Sequence, residues 1–197
     1  ATLFQLTKEN ESLKENYERL LSQAGRALLK TLELKDPYTY GHSMRVMEYA
    51  LLIGRGTQLS LKEMRELELA AMFHDIGKVG TPDCVLLKPS RLDEAEQKIM
   101  AEHPIHSAEI IEIVDEFKGG AAGAKHHHER YDGKGYPAGL KGKDIPLPSR
   151  IILVADTFDA MTSNRPYRKA LPVQVAYDEL QKYSGVQFDP EFVKVFL

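Results

Sequence analysis

The chain has 197 residues, 43% apolar and 28% charged, with a formal charge of −3. That length buries one core, or one core plus an appendage. The slight acidity gives no general electrostatic reason to expect nucleic acid or an anionic membrane as partner, so an anionic ligand would need a local cluster of cations. The single cysteine, Cys84, rules out a disulfide framework and a Cys-based zinc site; it is expected to be a small buried residue. No apolar run approaches the ~20 residues of a membrane span. The N-terminus lacks the basic start and apolar block of a signal peptide. The cytoplasm is the expected location, and the missing initial Met points to a fragment of a longer chain.

Residues 1–33 stand apart. Alternate steps of three and four select Leu3, Leu6, Asn10, Leu13, Tyr17, Leu20, Ala24, Ala27, Thr31 and Leu34, a sustained heptad. Asn10 falls at an a position, where a buried amide fixes register in parallel two-stranded coils. The expectation is a coiled-coil-like signalling helix forming a parallel homodimer through 1–33 and following an upstream sensory or receiver domain. The alternative is one amphipathic helix lying on its own domain, which occupies 34–197.

From Leu34 onward, helical patterns alternate with Gly and Pro turns. HSMRVMEYALLIGRG places Val46, Ala50, Leu51 and Ile53 at helical spacing and stops at Gly54 and Gly56. SLKEMRELELAAMFHD opens on Ser60 and Glu63, a capping box, with Leu61, Met64, Leu67, Ala71 and His74 as its apolar face. An irregular run, IGKVGTPDCVLLKPS, precedes a helix from Leu92 and another near Pro104. RIILVAD could be a buried strand, but TFDAM keeps helical spacing through Ile151, Val154, Ala155, Phe158 and Met161, so a helix is expected. Pro172 and Gly185 bracket a further helix, and Asp189 with Pro190 starts the last. The fold class is all-α.

Imidazoles and carboxylates recur in short bursts near helix ends: His42, His74-Asp75, His103, His106, His126-His127-His128-Glu129, Asp132, Asp156 and Asp159. Nitrogen and oxygen ligands from several elements suit hard or borderline divalent metals. His74, on an apolar face beside an acid, needs a partner that a cation would supply. Spacing alone leaves the register of the triple histidine open.

HDIGKVGTPD (74–83) and HHERYDGKGYP (127–137) resemble the HD-GYP group of HD-superfamily phosphohydrolases. GHSMRV, EHPIHSAEII, IILVADTFDAMTSNRPYRKAL and GVQFDPEF support the resemblance, which runs from about Leu34 to the end. It implies an HD-type helical domain, a site with two or three metals, and hydrolysis of the bacterial second messenger cyclic di-GMP to pGpG, with onward cleavage to GMP left open. It also implies a GGDEF-type partner. Carried over by position, the metal ligands are His42, His74, Asp75, His103, His127, His128 and Asp156, with Asp75 bridging. Counting back from Gly135-Tyr136-Pro137 selects His127 and His128, leaving His126 and His106 exposed or behind the ligands. Fe, Mn and Ni all suit this set.

Family members with a third metal carry glutamate four residues before the first histidine. Tyr38 stands there, so two divalent ions are expected. Ser107 replaces the usual glycine and should affect packing rather than chemistry. Lys78 would share a helical side with His74 if that helix continued through Gly77, and the resemblance gives it the substrate phosphate. Gly133 and Gly135 permit tight turns or close approach, Tyr136 offers a ring to a base, and Glu129 orients a ligand histidine. Asp159, three residues after Asp156, supports the site or binds a guanine edge. Arg165 and Arg168 offer forked donors to phosphate or guanine. Two other readings stay open: a cyclic-dinucleotide receptor with little turnover, and a phosphodiesterase for another substrate such as cyclic GMP-AMP.

Overall fold

The computed structural model describes residues 2–36, 39–164 and 169–197. Among them there is no strand, only an isolated β-bridge between Ser184 and Phe188. The all-α expectation holds.

Helix α1 (Leu3–Lys35) begins at a capping box in which Thr2 caps the Gln5 amide and the Gln5 side chain returns to the Thr2 amide. Every heptad position from Leu3 to Leu34 is exposed on the chain. A different stripe, Gly25, Leu29 and Leu32, is buried, and Leu29 joins the hydrophobic core. The helix therefore has two apolar faces, and only the second is satisfied within the chain. A division at residue 33 falls inside the packed part of α1.

Helices α2 (Thr39–Gly56) and α3 (Leu61–Phe73) pack on each other. Ser60 and Glu63 form the expected capping box of α3. Leu67, Ala70, Ala71 and Phe73 face inward, but Leu61 is 92% exposed, because the first turn of α3 projects beyond the core. The irregular run that follows forms a 3₁₀ turn (Ile76–Gly80) and a short helix α4 (Asp83–Leu86). Here α4 buries Val85 and turns Cys84 outward, so the expectation of a buried cysteine is corrected. Helix α5 (Glu94–Met100) is capped by Asp93, and α6 (His103–Glu112) carries Pro104 in its first turn.

After a 3₁₀ turn (Asp115–Gly120) and α7 (Ala121–Lys125) comes α8 (Leu147–Thr162). The run Ile151–Ala155 is buried at all five positions. Such a helix is apolar all round because α2, α3, α7 and α9 (Val173–Lys182) surround it, which is why its sequence also reads as a strand. Helix α10 (Pro190–Phe196) starts at Asp189, whose carboxylate caps Glu191 and pairs with buried Arg150 at 2.6 Å. No helix of the described residues is long and apolar enough to cross a membrane.

Candidate active site

Five imidazoles and two carboxylates meet where the C-terminal ends of α3 and α7 and the starts of α2 and α6 abut the middle of α8. The local cause of their aim is one repeated hydrogen bond. Nδ1 of His74 lies 2.8 Å from the Ala71 carbonyl, Nδ1 of His103 2.6 Å from that of Met100, and Nδ1 of His127 2.6 Å from that of Ala124. Each acceptor is the carbonyl three residues earlier. A carbonyl only accepts, so each Nδ1 carries the proton and each Nε2 keeps its lone pair. His42 is anchored differently, with Nδ1 2.7 Å from the Asp159 carboxylate.

The Nε2 atoms converge in two groups. His42, His74 and Asp75 form one, and His103, His127 and His128 the other; within each, the ligand atoms lie within 4.8 Å of one another. Asp75 stands between them, with Oδ1 3.2 Å from His103 and Oδ2 3.5 Å from His74 and 3.7 Å from His42. Asp156 Oδ1 lies 3.2 Å from His42 Nε2. The seven residues expected as ligands are thus in one place. His74 Nε2 is buried with no hydrogen-bond partner among the described residues, a cost that a cation would remove. The nitrogen and oxygen donor set fits divalent metal.

Electrostatics agree with that use at His74, His127 and His128. Burial pushes His74 and His127 below the ordinary histidine range and takes His128 down to about 3, the neighbouring His103 adding to the effect. These rings are neutral at pH 7, with lone pairs available. Burial also lowers His42, but its bonds to Asp156 and Asp159 outweigh that and raise it to about 9. Burial alone would raise Asp75; the Lys78 ammonium and nearby imidazoles hold it well below the usual carboxylate range.

Lys78 arrives by a route the sequence pattern did not anticipate. Helix α3 stops at Phe73 instead of continuing through Gly77, and the 3₁₀ turn has a period of three. Lys78 therefore lies over Asp75, Nζ to Oδ2 2.6 Å, rather than beside His74. Ser107 holds this turn: its fully buried hydroxyl donates to the His74 carbonyl at 2.6 Å and accepts from the Gly77 amide at 2.9 Å. Its part is structural, in keeping with an effect on packing rather than chemistry, and it adds two hydrogen bonds to the backbone. A Cβ on Gly77 would lie 2.1 Å from the His103 carbonyl oxygen, so only glycine allows α6 to approach. Lys35, at the end of α1, donates to the carbonyls of Val79 and Thr81, both at 2.7 Å.

One further expectation is corrected and another narrowed. Glu129 does not orient a ligand histidine; its oxygens accept from the amides of Ala138 (2.7 Å) and Leu140 (3.1 Å), clamping the 133–140 loop, and its nearest imidazole is His126 at 3.5 Å. His127, expected as a ligand, is already held by the Ala124 carbonyl. Of the two roles expected of Asp159, support of the site agrees with its position and contact with a guanine edge does not, because it does not line the cavity. It is fully buried and grips His42 while accepting both forks of Arg45, at 2.6 and 3.0 Å. Arg45 went unrecognised in the sequence, although its place three residues after His42 sets it on the same helix side.

The Tyr136 ring stacks on His128, centroids 4.8 Å apart at 27°, and borders a cavity of about 590 Å³. His42, Asp75, Lys78, His103, His128 and Asp156 line its polar side; Leu86, Leu87, Pro89 and Met100 line an apolar one. His106 and His126 join neither ligand group. Tyr38, Arg165 and Arg168 lie outside the described residues.

A family model described as HD domain matches residues 26–192. A cyclic di-GMP phosphodiesterase of Thermotoga maritima is 39% identical over 99% of this chain and 54% of its own length. A 3'3'-cGAMP-specific phosphodiesterase 3 of Vibrio cholerae is 42% identical over 82% of this chain and 35% of its own. Among solved structures, a cyclic GMP-AMP specific phosphodiesterase of V. cholerae superposes with a TM-score of 0.70 at 25% identity, covering 89% of this chain and 47% of that one. The chain spans about half the length, or less, of the curated relatives it matches.

The Nδ1 anchors generate a prediction. Asp159→Asn removes the ionised acceptor behind His42 and should weaken Mn²⁺ binding by about ten- to a hundredfold in calorimetric titration. Unchanged affinity would show that the anchor does not orient His42.

Proposed function

The chain belongs to the HD domain family, with the motifs of its HD-GYP group, and on that premise we propose that it is a phosphodiesterase using two divalent ions to open cyclic di-GMP to linear pGpG. The observation that carries this is Asp75, placed between two triads of ligand atoms with Lys78 beside it. Ions held there supply activated water and positive charge for in-line displacement at phosphorus. Water adds to phosphorus, the P–O3′ bond breaks, and the leaving 3′-oxygen takes a proton, giving a 5′-phosphate on a linear dinucleotide.

The chain's own groups have distinct parts. Asp75 and Asp156 temper the charge of the ions, and the Nδ1 anchors hold the imidazoles in place. The Lys78 ammonium, pinned by Asp75 at the cavity wall, meets a phosphoryl oxygen. Tyr136 has one face on His128 and offers its other side to the substrate. Arg165 and Arg168 complete the binding set in this proposal. The cavity volume falls within the ~300–1,000 Å³ of small-molecule sites.

A second reading keeps the chemistry and changes the substrate to 3'3'-cGAMP, favoured by the similarity to the V. cholerae enzyme at 42% identity. A receptor without turnover would not need the full ligand set. Protein reconstituted anaerobically with Mn²⁺ or Fe²⁺ and given each dinucleotide should convert at least one to linear product by chromatography. Asp75→Asn should slow this by more than about a hundredfold. Metal-loaded protein that turns over neither dinucleotide would contradict the enzyme reading.

The same proposal places the exposed heptad face of α1 in a parallel homodimer, Asn10 opposite Asn10, below an upstream sensory or receiver domain. A cytoplasmic location and a GGDEF-type partner go with a second-messenger substrate. Deleting residues 1–33 would also remove buried Leu29 and Leu32, so the cleaner variant is Leu6→Glu with Leu13→Glu. Light scattering should find it monomeric where the parent is dimeric; a dimer that persists would refute the coil.

A further inference from the structure

The cavity at the ligand groups does not end at its apolar wall. A second cavity of about 500 Å³ adjoins it, and Leu86, Pro89 and Met100 line both. Beyond that shared ridge the second cavity is bordered by Lys88 and Arg91, two of the few cations near the site.

The cations on these two cavities differ in what they already hold. Lys78 is engaged by Asp75 at 2.6 Å, and Lys88 by Glu96 at 2.5 Å. Arg91, exposed between α4 and α5, has no acidic partner among the described residues. Of the acids that follow, Asp93 caps the amides of Ala95 and Glu96, Glu96 binds Lys88 and the Asp93 amide, and exposed Glu94 forms no ion pair with Arg91 among the described residues. A guanidinium left open on the rim of a cavity has its planar fork of donors available to an incoming anion.

A cyclic dinucleotide is a dianion with two phosphodiesters and two bases, and the ligand groups can engage only one phosphate at a time. The other must find positive charge in a chain whose formal charge is −3. We propose that the second cavity takes the distal half of the substrate, with Arg91 donating to the phosphate that is not cleaved and the Leu86, Pro89 and Met100 ridge supporting a base. This rests on the reading of the substrate as a cyclic dinucleotide. Leu86 and Met100 offer adaptable apolar surface, and Pro89 has a fixed φ, so the ridge suits a flat ring without dictating which base lies on it. The subsite would then serve affinity, and chemistry would stay with the groups around Asp75.

Steady-state kinetics of the metal-loaded protein test this with two substrates: the cyclic dinucleotide, and bis(p-nitrophenyl) phosphate, a diester with one phosphate. Arg91→Ala should raise KM for the dinucleotide by about tenfold or more, the size of one charge-assisted hydrogen bond, with kcat unchanged. Arg91→Lys should restore part of that loss, and cleavage of the small diester should keep its rate. An unaltered dinucleotide KM in Arg91→Ala overturns the subsite alone, as does an equal loss on both substrates. A parent protein that cleaves the small diester but neither cyclic dinucleotide overturns the substrate reading and the subsite with it.

Discussion

One carboxylate between two sets of imidazoles is the constraint on which the structure turns. Asp75 can face both groups only because α3 breaks off at Phe73 and the chain tightens into a 3₁₀ turn. Had the helix run on, His74 and Asp75 would diverge by about 100° around its axis. Gly77 and Ser107 hold that break, the first by admitting α6 closely and the second by bonding the freed carbonyl and amide on either side. The cost of removing so many polar groups from water is offset in part at His42, His74, His103 and His127, where Nδ1 finds an acceptor.

The rest of the fold is a frame for that arrangement. The buried α8 carries Asp156 and Asp159 from the centre of the core, so the carboxylate on the ligand cluster and the one behind His42 share one rigid element. At the other side, α1 ends with Lys35 on the backbone of the turn that carries Lys78. The long helix is thereby joined mechanically to the site, while its heptad face stays exposed, with Tyr17 donating its hydroxyl to Glu116 of the domain.

Metal chemistry made a cluster of imidazoles and acids legible in the sequence, while the particular seven residues and the choice of His127 and His128 came from the resemblance to the HD-GYP group. The scattered histidines and acids had no common explanation as a surface, and His74 followed by Asp75 on an apolar face marked a buried polar pair. Capping boxes placed helix starts, and the heptad stood out because it was not the stripe that packs on the domain. The misses share a cause: spacing does not report which of several acceptors a side chain will choose. Glu129 was near enough in sequence to serve His127, but the Ala124 carbonyl already did. For Asp159 spacing leaves support of the site and contact with a guanine edge equally open, and the bonds to Arg45 and His42 decide for the first. Lys78 was placed by a helical period where the chain follows a 3₁₀ one, and the outward turn of Cys84 depends on which side of a single short helix meets the core.

Anomalous diffraction from crystals of Mn²⁺-loaded protein tests the central claim most directly. The account predicts two peaks, one bounded by His42 and His74, the other by His103, His127 and His128, with an oxygen of Asp75 on each. A single peak that leaves either triad without an ion, or peaks elsewhere with Asp75 ligating none, would contradict it.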